Sequence, residues 1–393
     1  MSTAVDEIVA ISRRYGAGYD WVIAGGGNTS VKDGDTMWVK ASGTMLSTIT
    51  AEQFVAMDRS RLNEIWDHTY PAEQDAREAA ALADLMAARV DQSGTLRPSV
   101  ETLMHALFPQ RLVVHTHPTI LNGVTCARDG EAATARLLNG EALWIPTIDP
   151  GYTLAKDMRD RVEAWRSNHD GATPAIVVMQ NHGLVVAAET AEEIDAIHGR
   201  IRDAVLAEVR RHPESEPEER DSNRQQELAE AVARALADMS AAHGSALERP
   251  VTTAFSSPEL LRRAASAEAL EPVSSAFSPD HIVYSGHRPC WVDAPDHINS
   301  PKALQAEVLH AVHDYWHDEG APPKIVVIRG RCAVAVTPTE RKTEVARLLF
   351  RNALEIAAYA ESFGGSQFMP QDQIEFVRNW EVEKFREKQS TGS

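Results

Sequence analysis

The chain has 393 residues, 43% of them hydrophobic, and a formal net charge of -18. So acidic a composition argues against nucleic acid or an anionic membrane as the main partner, because phosphate groups require a basic face. The three cysteines are odd in number and far apart, so they predict neither a disulfide framework nor a CxxC metal site. No apolar run approaches the ~18 residues of a membrane span, and the N-terminus is typical of an amphipathic helix and not of a signal peptide. We therefore expect a cytoplasmic protein of two domains.

The first half of the chain alternates between helix-like and strand-like segments. Helical spacing of apolar residues predicts helices over 1–15, 51–66, 72–91, 154–168 and 191–211. Apolar and β-branched runs predict strands over 21–32 with a glycine turn inside, 36–43, 111–120, 142–148 and 175–189 with a turn inside. This alternation predicts an α/β or α+β fold around a central sheet.

The second half of the chain repeats part of the first. The segment that begins at Ile325 matches the one that begins at Ile176, 149 positions earlier, as strand, turn, strand and long helix. Further upstream, Trp291 stands opposite Trp144 with an offset of 147. Duplication is the reading we favour, and two unrelated units of one common type are the alternative.

A polar, charged segment with two prolines, 212–226, predicts an exposed linker between the two halves. We therefore divide the chain into a catalytic domain (1–211), a linker and helix (212–245) and a second domain (246–393). In the repeat Arg331 stands opposite His182. We accordingly expect the second domain to lack a metal and to have a structural or interface role.

Two histidine motifs carry the strongest chemical signal. His115 and His117 lie two residues apart on a predicted strand, so their side chains share one face and can reach one ion. His182 lies in the NHG turn between two apolar strands. Either motif alone is also compatible with ordinary surface or turn histidines. Together they match the three protein ligands of a catalytic zinc, which leaves a further position open.

Glu101 lies in the first turn of a predicted helix just before the HTH strand. A carboxylate in this position stabilises the helix dipole, which is the ordinary explanation. The same helix could also place Glu101 beside the metal, as a ligand or as an acid/base. His105 shares that helix face, and we expect it to be a partly buried, hydrogen-bonded histidine.

Two turns rich in small residues, GGGNTS (25–30) and ASGT (41–44), lie at strand ends. Such turns can direct backbone N–H groups and hydroxyls at a phosphate, although tight turning alone also explains them. They are neither a Walker P-loop nor a GxGxxG turn followed by a helix.

Taken in order, GGGNTS, the SG of ASGT, PSVE, HTH and NHG resemble the class II aldolase/adducin family over about residues 5–210. The whole chain, with its tail FGGSQFMPQDQIEFVRNWEVEKFREK, is also similar to the aldolase part of bifunctional rhamnulose-1-phosphate aldolase/alcohol dehydrogenases. The resemblance implies a three-layer α/β/α fold with a mainly antiparallel sheet, to which the repeat adds a smaller α/β domain. It also implies a homo-oligomer, commonly a fourfold tetramer with active sites between subunits.

The resemblance further implies roles for individual residues. Zinc, or another divalent transition metal, would be bound by His115, His117 and His182, with Glu101 as fourth ligand or catalytic acid/base. Tyr152 is the nearest candidate for a proton-donating tyrosine, and Val100 stands where aldolases often have a second serine. The residues that would bind the substrate phosphate are Asn28, Ser42, Gly43 and Ser99.

These roles predict an aldolase that cleaves a ketose 1-phosphate, of rhamnulose or fuculose type, to dihydroxyacetone phosphate and an aldehyde. One alternative is a pentulose-phosphate 4-epimerase, although such enzymes tend to carry Asp where this chain has Glu101. A dehydratase or decarboxylase of the same family is another. A non-catalytic, adducin-like assembly module is a third, although such members lose the metal ligands that this chain retains.

Overall fold

The computed structural model describes residues 3–217, 222–243, 247, 249–294 and 300–380. These residues form two compact units. Unit 1 runs to Val209 and includes the segment that begins at Gln371, and unit 2 is Arg210–Pro370. Parts of the predicted linker and helix, 218–221 and 244–245, and the end of the tail from 381 lie outside the described residues.

The sequence-based division assigned the segment after Pro370 to the second domain, whereas the structure groups it with unit 1. The Gln373 side chain donates a hydrogen bond to the Thr147 carbonyl (3.2 Å), and Trp380 lies close to Gly151. These contacts join residues more than 200 positions apart, so local sequence patterns could not reveal them.

Within the described residues, unit 1 contains a seven-stranded sheet of order β3-β2-β1-β4-β7-β6-β5. Neighbouring strands are antiparallel except for β5 and β6, which are parallel. The strands are β1 (Asn28–Asp33), β2 (Thr36–Lys40), β3 (Phe54–Asp58), β4 (Leu112–Thr116), β5 (Ala142–Ile145), β6 (Ile176–Met179) and β7 (Gly183–Ala188).

Helices cover both faces of this sheet. The helices are α1 (Thr3–Gly16), α2 (Arg59–Glu64), α3 (Gln74–Ala87), α4 (Thr102–Ala106), α5 (Thr119–Thr125), α6 (Gly130–Leu137), α7 (Tyr152–Asn168), α8 (Ala191–Glu208) and, after unit 2, α14 (Gln371–Asn379). Val113 of β4 packs in a buried cluster with Met104 of α4, whereas Thr116, three residues on, lies 3.5 Å from His198 of α8. Because side chains alternate along a strand, α4 and α8 lie on opposite faces. This is the three-layer α/β/α fold that the resemblance implied.

The predicted helix over 51–66 is wrong in its first part. Phe54–Asp58 form the edge strand β3, with Met57 opposite Met37 of β2, and only Arg59–Glu64 are α-helical. The apolar residues of this segment fit either period, and pairing with β2 decides between them.

Unit 2 contains a four-stranded sheet of order β8-β11-β10-β9 in the part of the chain that the structure describes. Its strands are β8 (Val251–Phe255), β9 (Cys290–Val292), β10 (Ile325–Ile328) and β11 (Cys332–Thr337). Its helices are α9 (Ser222–His243), α10 (Pro258–Arg263), α11 (Ala267–Leu270), α12 (Pro301–Glu319) and α13 (Glu340–Ala360). A single π-helical turn spans His281–Ser285.

The sheet of unit 2 repeats part of the sheet of unit 1. The strands β4-β7-β6-β5 and β8-β11-β10-β9 follow the same order, with the same parallel pair at one edge. Val177 pairs with Val185, and 149 positions later Val326 pairs with Val334. On the other side of this strand, Val177 pairs with Leu143 of β5 and Val326 pairs with Cys290 of β9, which lies 147 positions after Leu143. The strand registers therefore carry the same two offsets as the sequence repeat.

In the described part of the chain, no helix combines the length and the apolar character needed to cross a bilayer.

Candidate metal centre and active site

Three histidine side chains meet at the end of the central strands of unit 1. His115 belongs to β4, His117 directly follows that strand, and His182 lies in the turn between β6 and β7. The Nε2 atoms of His115 and His117 are 3.0 Å apart, and the candidate ligand atoms of all three lie within 4.8 Å of one another. Among the described residues, this is the group of His, Cys, Asp or Glu side chains arranged to hold a metal ion.

The tautomer of His115 suits metal binding. Its Nδ1 lies 2.9 Å from the carbonyl oxygen of Leu184, which can only accept a hydrogen bond. Nδ1 therefore carries the proton and the Nε2 lone pair faces the other histidines. Burial holds the pKa of His115 well below its ordinary value despite the opposing charge of Glu101. The ring is thus neutral, which is the form that binds a metal.

The turn that carries His182 can approach β4 only because of a glycine. A Cβ atom on Gly183 would lie 2.3 Å from the carbonyl oxygen of Thr116 and 2.9 Å from Cδ2 of His117. Two residues earlier, Asn181 has a left-handed φ of 54°, which asparagine tolerates better than most residues. The NHG sequence therefore suits both the turn and its close contact with the HTH segment.

A second glycine brings β1 against β4. Of the predicted strand over 21–32, only the part from Asn28 onward is a strand. Gly27, just before it, has a φ of 64°, and a Cβ atom there would lie 2.7 Å from the carbonyl oxygen of His115. Asn28 is the register partner of His115, so its side chain is on the same face of the sheet.

Glu101, in the N-cap position of α4, lies beside the histidines. Its Oε1 is 3.2 Å from Nε2 of His182 and its Oε2 is 3.6 Å from Nε2 of His115. The Asn28 amide donates a hydrogen bond to Oε2 (2.5 Å). Burial alone would raise the pKa of this carboxyl, but the hydrogen bonds from His182 and Asn28 outweigh burial and hold the pKa well below its ordinary value. Glu101 is therefore a carboxylate that faces the candidate metal site.

His105 lies behind Glu101 and is fully buried, more deeply than the sequence suggested. Its Nδ1 is 2.8 Å from the Ser30 hydroxyl, and its Nε2 is hydrogen-bonded to Oδ1 of Asn28. Burial, together with the nearby Lys32 ammonium, lowers the pKa of His105 to about 3. The ring is therefore neutral at physiological pH.

The residues expected to bind phosphate lie on segments next to Glu101. The backbone N–H of Ser42 donates to the Arg97 carbonyl (2.8 Å), and that of Ser99 donates to the Lys40 carbonyl (3.1 Å). The Ser99 hydroxyl accepts a hydrogen bond from the Glu101 backbone N–H (3.3 Å). The structure thus brings together the segments that carry Asn28, Ser42, Gly43 and Ser99.

Tyr152 lies in a different environment, at the start of α7. Its side chain is buried in an aromatic cluster, 4.6 Å from the ring of Tyr70 and 6.2 Å from that of Trp66. Its backbone N–H donates to the Glu78 carboxylate (2.7 Å). The contacts described for Tyr152 lie in this cluster and none reaches the histidines, so its role as a proton donor stays a prediction.

The strand register shows which positions of unit 2 correspond to the three histidines of unit 1. The sequence alone did not identify the segment that corresponds to HTH. Val185 pairs with His115, and its equivalent Val334 pairs with Ala254. The sequence pattern does not reveal this match because the side chains that define the motif differ in unit 2. The positions that correspond to the three histidines hold Ala254, Ser256 and Arg331.

Residues 6–198 match the family described as "Class II Aldolase and Adducin N-terminal domain". The match spans α1 to α8 and contains all three histidines and Glu101. This segment of the chain therefore belongs to the class II aldolase and adducin family.

Individual relatives resemble the chain to different extents. "Uncharacterized oxidoreductase YuxG" of Bacillus subtilis (strain 168) is 24% identical over 417 residues, which cover 97% of this chain and 58% of that protein. This chain thus spans less than two thirds of the length of that relative. Among solved structures, the N-terminal class II aldolase domain of a conserved protein from Thermoplasma acidophilum is 28% identical, with 53% of this chain and 95% of that chain covered and a TM-score of 0.45. L-fuculose-1-phosphate aldolase from Thermus thermophilus is 13% identical, with 51% and 94% covered and a TM-score of 0.33.

Proposed function

We propose that this protein is a zinc-dependent aldolase that cleaves a ketose 1-phosphate, of rhamnulose or fuculose type, to dihydroxyacetone phosphate and an aldehyde. The observation that carries the proposal is the convergence of His115, His117 and His182, with the Glu101 carboxylate beside them, in a domain of the class II aldolase and adducin family. Three imidazoles that leave a position open suit a catalytic zinc, and other divalent transition metals accept the same ligands.

Each part of the site has a distinct task in this reaction. A bound zinc ion would supply Lewis acidity that stabilises the negative charge left on the substrate oxygens when the C3–C4 bond breaks. In the condensation direction, Glu101 would remove the proton from the carbon next to the carbonyl, and in cleavage it would return that proton. Its low pKa keeps it ionised and ready to accept the proton.

The substrate phosphate would be bound by small residues and not by a cluster of cations. Hydroxyl and N–H groups would hold the phosphate oxygens, and Val100 supplies one hydroxyl fewer than a serine would. The residues that we assign to this task are Asn28, Ser42, Gly43 and Ser99. Tyr152 remains our candidate for protonating the aldehyde oxygen in the condensation direction, since burial raises its pKa and keeps its hydroxyl protonated. In cleavage the same position would take the proton back from the C4 hydroxyl.

We also propose the division of labour that the sequence predicted. The catalytic domain is 1–211, and the degenerate repeat that follows the linker has a structural or interface role in a cytoplasmic homo-oligomer, for which a tetramer is the expected form. The absence of histidine from the three equivalent positions of unit 2 supports this division.

The decisive experiment combines metal analysis with a substrate panel. Purified protein is analysed for zinc and then assayed with rhamnulose 1-phosphate, fuculose 1-phosphate and ribulose 5-phosphate, before and after treatment with a chelator. We expect bound zinc and chelator-sensitive release of dihydroxyacetone phosphate from a ketose 1-phosphate. Epimerisation of ribulose 5-phosphate without cleavage would replace the aldolase by the epimerase alternative, and protein without bound divalent ion or activity would favour the assembly module.

A further inference from the structure

We propose that His105 is a positioning residue that acts through Asn28 to hold the Glu101 carboxylate in the orientation that faces the three histidines. The inference rests on the proposed role of Glu101 as acid/base and deepens it. Nothing in the sequence distinguished His105 from an ordinary buried histidine, and the evidence is the set of hydrogen bonds around it.

Four side chains form a continuous hydrogen-bonded chain that ends at the site. Ser30 Oγ lies 2.8 Å from Nδ1 of His105, Nε2 of His105 is hydrogen-bonded to Oδ1 of Asn28, and Nδ2 of Asn28 donates to Oε2 of Glu101. Asn28 and Ser30 are two residues apart on β1 and share one face. His105 and Glu101 are one helical turn apart, joined by a backbone hydrogen bond (3.3 Å). One strand and one short helix thus supply the whole chain.

The Glu101 carboxylate, at one end of this series of four side chains, fixes the direction of every hydrogen bond in it. An ionised Glu101 can only accept, so Asn28 must present its Nδ2 donor to it and leave Oδ1 as an acceptor. Oδ1 then requires a proton on Nε2 of His105, which leaves Nδ1 to accept from the Ser30 hydroxyl. The opposite tautomer, or a flipped Asn28 amide, would place two acceptors against each other. A single arrangement therefore satisfies all four side chains.

The surroundings of Glu101 show why this constraint matters. Glu101 occupies the N-cap position of α4, but its side chain makes no capping hydrogen bond to that helix. The Asn28 amide is therefore the neutral donor that holds Oε2, while Oε1 faces His182. A hydrogen bond to an ionised acceptor is among the stronger side-chain interactions. If it is lost, a side chain with three rotatable bonds gains freedom to turn away from the site.

The test compares two replacements of His105 in the zinc-loaded enzyme. His105→Leu removes the donor at similar volume, whereas His105→Gln offers an amide N–H near the position of Nε2. We expect His105→Leu to lower kcat by about 10- to 100-fold, as is typical of residues that support a metal site from behind. The zinc content should be unchanged, any rise in KM for the sugar phosphate through Asn28 should be smaller than the fall in kcat, and His105→Gln should recover most of the lost turnover.

His281→Leu is the matched control. His281 is another buried histidine with a serine hydroxyl on Nδ1, here Ser278 at 2.8 Å, but it lies in unit 2. This variant should lose stability in a thermal melt and keep the kcat of the wild type. A merely structural role for His105 would instead make His105→Leu behave like the control.

Two further measurements do not depend on activity. Crystal structures of the metal-free variants should show that the contact between Glu101 and His182 is lost in His105→Leu and kept in His105→Gln. In ring ¹⁵N NMR spectra of the wild type, the histidine signal that disappears in His105→Gln should report the Nε2–H tautomer.

The outcomes separate this inference from the proposed function. If the wild type cleaves ketose phosphates and His105→Leu keeps its full kcat, the positioning role is overturned and the function stands. If the wild type cleaves none, the proposed function fails, and the crystal structures decide the inference: an unmoved Glu101 in His105→Leu overturns it, and a displaced one supports it. If His105→Leu does not fold, an Nδ1–H tautomer in the wild type overturns the inference and an Nε2–H tautomer supports it.

Discussion

At the scale of single residues, the candidate site depends on the protonation states of buried groups. The Glu101 carboxylate stays ionised because His182 and the Asn28 amide donate hydrogen bonds to it, while His115 and His105 stay neutral because they are buried. Negative charge and neutral imidazoles are the forms that a metal-dependent acid/base site requires. These states follow from the folded environment, since each group has an ordinary pKa in the unfolded chain.

Glu101→Gln tests the acid/base role directly. The substitution keeps the shape of the side chain but removes its charge, so we expect zinc to be retained and cleavage to fall by about 10²–10⁴-fold. Turnover and zinc content are measured on the same preparation. Glu141→Gln is the control, because Glu141 is an exposed partner of Arg200. If Glu101→Gln turned over like the wild type, Glu101 would have no role in proton transfer.

The buried ring of His198 makes the free energy of unfolding depend on pH. Its ring packs between Tyr15 and Trp21, and burial lowers its pKa from 6.5 to about 4. Above pH 6.5 the ring is neutral in both folded and unfolded chains. Between pH 6.5 and 4 only the unfolded chain binds the proton, so the free energy of unfolding falls by about 1.4 kcal/mol per pH unit as the pH decreases.

The measurement is urea unfolding of the wild type and His198→Leu between pH 7 and pH 4.5. The variant should show a shallower decline with falling pH, whatever its stability at pH 7. A residual decline is expected from His105, whose pKa is also lowered by burial. Equal slopes in the two proteins would contradict the prediction.

At the scale of elements, the turn between β6 and β7 joins the two halves of the candidate metal site. It carries His182 and passes close to the HTH segment, with Gly183 at the closest point. The position therefore has no room for a side chain, and a single methyl group should separate the turn from β4.

Gly183→Ala should destabilise the protein by about 1–3 kcal/mol, because the added Cβ would overlap backbone atoms of β4. It should also weaken zinc binding, since His182 moves with the turn. The control is Gly199→Ala in α8, where a Cβ would have no atom within 4 Å. That variant should be more stable than the wild type by about 0.5–1 kcal/mol, because alanine favours a helix over glycine. Thermal melts and zinc titrations check both, and normal zinc affinity in Gly183→Ala would contradict the prediction.

At the scale of the whole molecule, the chain contains two related sheets with different chemistry. Their strand orders and registers match, but the positions of the three histidines hold Ala254, Ser256 and Arg331 in unit 2. A cationic side chain thus occupies the sequence position at which unit 1 has a histidine of the candidate metal site. The two units share a sheet arrangement but not the histidines of the candidate metal site, so the fold alone does not identify where such a site lies.

The duplication predicts different effects on metal content for two substitutions at equivalent positions of the two units. His182→Ala should remove the bound metal, because it deletes one of three ligands. Arg331→Ala, at the equivalent position of unit 2, should leave the metal content unchanged. Metal analysis of the two purified variants is the measurement, and loss of metal in Arg331→Ala would contradict a metal-free role for unit 2.

The sequence by itself determined the features that are local or depend on side-chain chemistry. It selected the three histidines and Glu101 that the structure brings together, the class of the fold, and the repeat with its offsets of 149 and 147. These features could be predicted because the residue types that bind metals, the hydrophobic periods of strands and helices, and internal repeats are all visible in the amino-acid sequence.

Tertiary structure decided the features that depend on contacts between distant segments. It turned Phe54–Asp58 into a strand through pairing with β2 and placed α14 in unit 1. It also showed that Ala254 of unit 2 occupies the position equivalent to His115. It also fixed the tautomer of His105, because that proton is set by an asparagine 77 residues away and a carboxylate one turn back. A linear pattern does not contain such information, since the free energy of each contact exists only once the two segments meet.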